Sequence, residues 1–470
     1  MEILINGEKI SNNSKYNVRN PYNDEIIDEI PIASKKDVFN AINSANNAKK
    51  SIQEMSARKI SNRLYDAYEN LKKNKKSLAE TITKEVGKPI KESLTEMERS
   101  IETLKLSAEE AKRIYGETVP LDAGINGKGF FAFTKKIPLG VVGAITPFNY
   151  PVNLSIHKIA PAIASKNTVI LKPSIQAPLA ALKMLEIIAH EFPNGVLNSL
   201  TGFGSDVGNE LVESSSVDKI SFTGSVNVGR LISSKAAMKK ITLELGGNDP
   251  LVVLNDANIV EAVKGGILGS FLNAGQVCMG VKRIIVHEDV YDEFTNFFVK
   301  ETSKLKIGDP MDENTDIGPL IDEKSAIAVE ESILNAEKNG AEILIGGKRN
   351  NAFLEPTVIG NVNPDMDLVI NETFGPVAPL IKVSSTEEAI KIANSSNFAL
   401  QAGVFTENYK NALKCANEIE TGSVFINKQS TFRTDNMPFG GFKDSGIGKE
   451  GVKYAVEDMC KTKLIGLNIR

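Results

Sequence analysis

From about residue 138 onward, short apolar runs alternate with helical segments. "VVGAIT", "NTVILK", "GVLNSLTG", "KISFTGS" and "KITLELGG" each read as a buried strand, separated by stretches such as "APLAALKMLEIIAHEF". This β-then-α rhythm constrains the chain more than any other feature. Parallel strands need a crossover between them, and the crossover helices then cover both faces of the sheet. The expected fold class is therefore α/β. After Gly247 a second cycle begins with "PLVVLNDAN", continues through a helix over 257–273 and returns as "RIIVH", which predicts another α/β domain reaching to about residue 445. Upstream, "SKKD" (34–37) offers a capping-box start, and Val38, Ile42, Ala45 and Ile52 recur at helical spacing. The helical pattern runs to about residue 115 with a break at "GKP" (87–89).

A chain of 470 residues exceeds what one core usually supports, so two or more domains are expected. A net charge of −4 suggests neither a nucleic-acid nor an anionic-membrane partner. The opening "MEILINGEKI" lacks a signal-peptide pattern, and "LGVVGAIT" (139–146) is far shorter than a membrane span, so a cytoplasmic location is expected. Three cysteines (Cys278, Cys415, Cys460) and three histidines (His157, His190, His287) are too scattered for a disulfide framework or a metal site. No metal is expected.

Two glycine-rich strand ends stand out. In "TGFGSDVG" (201–208) the glycines are spaced one residue too long for the usual dinucleotide loop, and the stretch alone reads as a turn. "FTGSVNVG" (222–229) opens a helix whose N-terminus suits a pyrophosphate. Together they point to a nucleotide site at the carboxyl edge of one parallel sheet. Cys278, in "AGQVCMG", is either a small buried hydrophobe or a thiol held at a turn so that it can react. Gly275 and Gly280 would let a substrate approach it closely. Glu244, between the leucines of "LELGG", is costly to bury unless paired or functional; otherwise it faces solvent where the strand ends. Asn149, in "TPFNYP", ends another strand and is a turn residue or a donor.

"TPFNYP", "LKPS", "FTGSVNVG", "LELGGNDP", "GQVC", "NETFGP" and "MPFGGFKDSGIGKEG" occur in this order, and together they resemble the aldehyde dehydrogenase superfamily over essentially the whole chain. The resemblance implies a dinucleotide-binding domain (1–115 and 139–246), a catalytic domain (247–445) and a small β flap for homo-oligomerisation. That flap would comprise a hairpin at 116–138 and a C-terminal strand at 458–470, giving a dimer or tetramer. It implies NAD(P)-dependent oxidation of a small-molecule aldehyde. Cys278 matches the nucleophile, Asn149 the oxyanion donor and Glu244 the base that hydrolyses the thioester. Lys172 matches a contact to the adenosine ribose, with Ser174 and Ile175 beside it. Gly204 would border the adenine, and Ser225, with Thr223, Gly224 and Gly229 around it, would meet the pyrophosphate. Glu372 would hold the nicotinamide ribose, with Phe374 beside the ring. Ile175 stands where many NAD-preferring relatives carry glutamate, so NADP or NAD is expected as cofactor.

Within the superfamily, "TPFNYPVNL", "VKRIIV" and "RTDNMPFGGFKDSG" look most like archaeal-type lactaldehyde dehydrogenases and non-phosphorylating glyceraldehyde-3-phosphate dehydrogenases. Arg99 and Tyr150 match the phosphate-holding set of the second group, and Arg433 is offset by one residue from its counterpart. Val277 stands where that group has arginine before the nucleophile. The resemblance therefore favours lactaldehyde, with the phosphorylated triose as the alternative. For an uncharged substrate, Arg99 is expected to be a helix-surface cation. The glutamate of "LELGG" speaks against a CoA-acylating enzyme. A non-catalytic relative would be expected to lose the nucleophile or the base, and this chain has both.

Overall fold

The computed structural model describes residues 1–469. Two antiparallel hairpins come first, Ile3–Ile5 with Glu8–Ile10 and Lys15–Arg19 with Ile26–Pro31. In the first, Asn6 and Gly7 both take positive φ, as a tight two-residue hairpin turn requires. Four helices follow, Lys35–Gln53, Ala57–Lys73, Lys75–Val86 and Ile90–Glu110. The predicted capping box forms: the Ser34 hydroxyl accepts from the Asp37 N–H, and the Asp37 carboxylate accepts from the Ser34 N–H. The expected break at "GKP" forms as well, through left-handed Gly87 (φ 79°) and Pro89.

The five predicted strands and a short edge strand form one six-stranded sheet, in the spatial order Gly446–Ile447, Lys240–Glu244, Lys219–Thr223, Val141–Ile145, Thr168–Lys172, Leu197–Ser199. All neighbours are parallel except the short edge strand Gly446–Ile447. Alternate residues feed opposite cores. Val142, Ala144, Val169 and Leu171 pack under the helical layer, whereas Val141, Ile145, Ile170, Ile220 and Phe222 pack on the other face. Strand order runs outward in both directions from Val141–Ile145, so the carboxyl edge opens a crevice between that strand and Lys219–Thr223. Lys172, Thr223 and Glu244 are the last residues of their strands there.

A second sheet has seven strands, ordered Glu342–Ile345, Thr357–Gly360, Val377–Val383, Val281–His287, Asp249–Val253, Gln401–Phe405, Ser423–Ile426. Only Glu342–Ile345 runs antiparallel to its neighbour. The expected helix over 257–273 is shorter, Ile259–Phe271, and a tight turn over Leu272–Gly275 replaces its last residues. The C-terminal strand Cys460–Asn468 pairs antiparallel with Phe130–Pro138 along its full length. The expected hairpin at 116–138 is only half regular: its first arm is reduced to a single bridge, Thr118 to Phe133. Asp458 ends the preceding helix Val452–Asp458 instead of starting the strand. Position 470, the end of the expected flap, lies outside the described residues.

One buried carboxylate fixes the helix that follows Asn149. Glu96 Oε1 accepts the N–H groups of Val152 and Asn153 (2.9 and 3.1 Å), in the first turn of the helix Pro151–Ala164. Its Oε2 pairs with the fully buried Lys88 at 2.5 Å. Glu96→Ala leaves two buried donors and one buried cation without a partner. The expected loss is about 3–5 kcal/mol, read as a lower urea midpoint, and Glu96→Gln should lose less.

Candidate active site

Cys278 lies between the helix Ile259–Phe271 and the strand Val281–His287, half-buried, at the amino edge of the second sheet. The turn that delivers it is left-handed three times over, at Asn273 (φ 50°), Ala274 (φ 51°) and Gly275 (φ 72°). For the two non-glycine residues that conformation costs about 1–2 kcal/mol each, so neighbours must hold it. The Glu92 carboxylate accepts the Asn273 N–H at 2.9 Å, and the Gln276 N–H donates to the Asn273 carbonyl at 3.1 Å. The buried Lys282 ammonium donates to the Gly275 carbonyl. Gly275 is obligatory: a Cβ there would lie 1.9 Å from the Gly375 carbonyl oxygen.

The first sheet meets this turn along its carboxyl edge. Asn149 Nδ2 donates to the Gln276 carbonyl at 2.8 Å, which leaves its second amide hydrogen for a ligand. Gly247 packs against the Cys278 carbonyl, where an added Cβ would stand 2.1 Å from the oxygen. Glu244 does not face solvent. It is 2 % exposed, and neither carboxylate oxygen has a hydrogen-bond partner among the described residues. Burial, reinforced by the charge of Glu450, holds its carboxyl well above the ordinary carboxylate range, against the pull of Arg433 and Lys158. Burial also pushes the Cys278 thiol up to about 12, against the pull of Arg433.

The expected cofactor residues line the same edge. Lys172 is 5 % exposed, and its ammonium has one hydrogen bond, to the Pro173 carbonyl at 3.3 Å. Burial lowers its pKa to about 8. Ser174 accepts from the Gln176 N–H, and Ile175 packs on the apolar group of Val18, Ile30, Leu179 and Leu182. Gly204 opens a π-helical turn, and the space where a Cβ would sit is empty. Ser225 caps the helix Val226–Lys235, Gly224 donates to the Glu244 carbonyl, and Thr223 accepts from Lys158. Gly229 lies in the same helix, and its missing side chain leaves room for Leu245, 2.5 Å from where a Cβ would be. Glu372 accepts the Gly247 N–H at 3.2 Å and is pushed up to about 7 by burial. With Phe374, Phe148 and Gln276 it lines a cavity of about 520 Å³. Buried polar groups with spare hydrogen-bonding capacity beside an open cavity fit a nicotinamide dinucleotide. Among the described residues no cluster of His, Cys, Asp or Glu could hold a metal ion, and no helix is long and apolar enough to cross a membrane.

Tyr150 and Cys278 pack on the same apolar group, and the Arg433 charge reaches the thiol. Tyr150 feels the charges of both Arg99 and Cys278. Arg99 is not a helix-surface cation; it turns inward and pairs with Asp435 at 2.7 Å. Arg433 is buried, donates to Glu450 at 3.2 Å and lies over the Phe439 ring at 3.7 Å. Val277 belongs to an apolar group with Met279, Leu400 and Phe439, against which Tyr150, Cys278 and Met437 pack.

Sequence reading missed the polar partners of these groups: Lys158, which bonds Glu450 at 2.6 Å, and the pair His157 and Asp435 at 2.9 Å. A signal existed for two of them. The helix Pro151–Ala164 is buried on every face, so "HK" within it had to be partnered.

The aldehyde dehydrogenase family profile matches residues 9–465. The chain is 47% identical over 453 residues to a lactaldehyde dehydrogenase of Methanococcus maripaludis, covering 95% of this chain and 96% of that one. It is 44% identical over 475 residues to a 3-sulfolactaldehyde dehydrogenase of Priestia megaterium, covering 99% and 98% of the two chains. Among solved structures, glyceraldehyde-3-phosphate dehydrogenase GapN of Methanocaldococcus jannaschii, complexed with NADP, superposes with a TM-score of 0.94 at 44% identity, covering 97% of this chain and all of that one.

The thiol and the Arg433 cation make a direct test. Iodoacetamide labelling of Cys278 in the unliganded enzyme should accelerate about tenfold per pH unit from neutral to alkaline pH, because the thiolate fraction grows that way below the pKa. Arg433→Met should slow labelling at every pH, since it removes the cation that stabilises the thiolate. Mass spectrometry against a Cys278→Ser background provides the readout.

Proposed function

The chain belongs to the aldehyde dehydrogenase family and is an NAD(P)-dependent oxidoreductase of aldehydes, and on that footing we propose that it oxidises a small uncharged hydroxyaldehyde, lactaldehyde to lactate. One observation carries the choice of substrate. Arg99 and Arg433 are both already paired with carboxylates, Asp435 and Glu450, and Cys278 packs against the apolar side chains of Val277, Met279, Leu400 and Phe439. The name of the Methanococcus relative agrees with this reading.

Once the Cys278 thiol has given its proton to solvent, Sγ adds to the aldehyde carbon, and the resulting alkoxide accepts hydrogen bonds from the free Asn149 amide hydrogen and the Cys278 N–H. Losing one such donor typically costs about 100- to 1,000-fold in rate. NAD(P), when bound, would supply the hydride acceptor; Lys172 and Glu372 would hold its two riboses, and the turn at Thr223–Ser225 and Gly204 would receive its phosphates and adenine. Lys172 and Ser174, with no acidic side chain at Ile175, support use of NADP as well as NAD. Once ionised, Glu244 takes a proton from water, the water oxygen attacks the thioester carbon, and the C–S bond breaks to release the acid and the Cys278 thiolate. Its unpartnered oxygens and raised pKa suit a base that is charged only when called upon. Cytoplasmic location is part of the same reading. A homo-oligomer, dimer or tetramer, is supported by the exposed Phe130, Phe131, Leu464 and Leu467 on the paired terminal strands.

A second reading, an anionic aldehyde such as glyceraldehyde-3-phosphate, is favoured by the match of Arg99 and Tyr150 to a phosphate-holding set and by the Arg433 charge that reaches the thiol. It agrees with the names of the sulfolactaldehyde and GapN relatives. Steady-state kcat/KM for lactaldehyde, glycolaldehyde, glyceraldehyde-3-phosphate and succinate semialdehyde, each with both cofactors, should place lactaldehyde first. A clear preference for the phosphorylated triose reverses the ranking.

The assigned chemistry has its own test. Cys278→Ser should abolish turnover, whereas Cys415→Ser and Cys460→Ser, both far from these groups in sequence, should retain most of it. Glu244→Gln should release close to one equivalent of reduced cofactor per site in stopped flow and then slow by about 100- to 10,000-fold. Slow turnover with no burst would mean that Glu244 acts before the thioester forms.

A further inference from the structure

Of the most deeply buried lysines, Lys88, Lys158 and Lys219 each pair with a carboxylate, whereas Lys282 forms no ion pair among the described residues. Its ammonium has three N–H donors and one hydrogen bond, to the Gly275 carbonyl in the turn that delivers the thiol. It also stands 5.4 Å from the centre of the Phe374 ring. The turn and the loop over 371–376 touch here, since a Cβ on Gly275 would lie 1.9 Å from the Gly375 carbonyl oxygen. Two residues before Phe374, Glu372 is held from the other side. Its Oε1 accepts the Gly247 N–H at 3.2 Å, and its Oε2 would stand 2.3 Å from a Cβ on Gly246. No group among the described residues bonds Oε2, and Glu372 forms no ion pair among them. A buried ammonium with a single neutral partner is costly, and a methionine of similar length would avoid that cost. Lys282 and Glu372 each feel the other as the leading charge: the lysine draws the carboxyl down and the carboxylate draws the ammonium up.

On the reading that Glu372 holds the nicotinamide ribose, we propose that Lys282 is a positioning residue for cofactor binding, a fixed cation that keeps the Glu372 carboxylate charged without bonding it. A direct ion pair would fill the oxygen that the ribose hydroxyls need. A cation anchored by the Gly275 carbonyl and the Phe374 ring supplies the field and leaves Oε2 free. Burial pushes Glu372 up to about 7 against the pull of Lys282. Burial also lowers Lys282 to about 8, against the pulls of Glu372, Asp249 and Cys278. Asp249, which faces Arg283 as well, and the Cys278 thiol are both held toward their neutral forms by burial. Glu372 is therefore the group that answers the Lys282 charge near neutral pH. Losing the cation raises the Glu372 pKa, and a protonated carboxyl is the weaker acceptor for ribose hydroxyls.

Cofactor binding in the absence of aldehyde decides the role of Lys282. Dissociation constants of NAD and NADP are measured by calorimetry on the full-length enzyme from pH 6 to pH 9. In Lys282→Met, a rise of about one unit in the Glu372 pKa should weaken binding about tenfold at pH 6 and less than about twofold at pH 9. At the alkaline end Glu372 is ionised in both proteins and Lys282 has lost its proton. The variant-to-wild-type ratio at each pH cancels titration of the cofactor and of Lys172. Lys282→Gln, which drops the charge and keeps an N–H donor, is the second route should the methionine variant fail to fold, with the same expected pH dependence. Glu372→Gln should weaken binding most at pH 9, and adding Lys282→Met to it should have no further effect. A ratio near one, or one that stays constant across pH, overturns the proposal, because Lys282 would then only brace the turn. Unchanged binding in Glu372→Gln refutes the ribose role of Glu372 itself, and the role of Lys282 through it falls as well.

Discussion

The site depends on one close approach, that of Gly247 to the backbone of Cys278. A Cβ on Gly247 would lie 2.1 Å from the Cys278 carbonyl oxygen, so the two sheets can meet only where the chain carries no side chain. Gly247 immediately follows the first sheet and precedes the strand Asp249–Val253 of the second. The same few residues therefore link the sheets covalently and bring Glu244 within reach of the turn that holds the thiol. Asn149 closes the contact from another strand end through its bond to the Gln276 carbonyl. The left-handed run at Asn273–Gly275 lets the chain reverse within this narrow gap, and Glu92, Lys282 and the fit against Gly375 keep it there.

Crowding the carboxyl edge of one sheet against the amino edge of another leaves charged groups with little water. Lys88, Lys158, Lys219, Lys282 and Arg283 are among the largest fully buried side chains of the protein. Each has a nearby acceptor: Glu96 for Lys88, Glu450 for Lys158, Asp458 for Lys219, and backbone carbonyls for Lys282 and Arg283. Glu244 is the exception, buried with neither oxygen partnered among the described residues. Where nearly every other buried charge is satisfied, an unsatisfied carboxyl marks the place where a mobile molecule, water or substrate, belongs.

The sequence carried much of this and not all of it. Strands buried on both faces announce themselves as continuous apolar runs, which is why "TVILK" and "KISFT" were legible as β structure. The N-terminal hairpin went unread although "NG" between apolar residues is a strong turn signal, because each of its strands has only three residues. Ordered motifs located the thiol, Glu244 and Asn149. They could not show that Arg99 pairs with Asp435, 336 residues away, since an ion pair between distant segments leaves no local period to read.

Arg433 shows how an arginine near the thiol serves the chain's own charges better than a ligand's. Its cation acts to lower the pKa of Cys278 and of Glu244, and it is bound to Glu450. Burial raises the pKa of both the thiol and Glu244, and each must become charged at some point in the reaction. A fixed cation beside both eases each ionisation without water having to enter. An arginine given over to a substrate phosphate would lose part of that influence, because the incoming negative charge would offset it at both groups. The position of Arg433, paired with Glu450 and lying on Phe439, thus favours a substrate that brings no charge of its own.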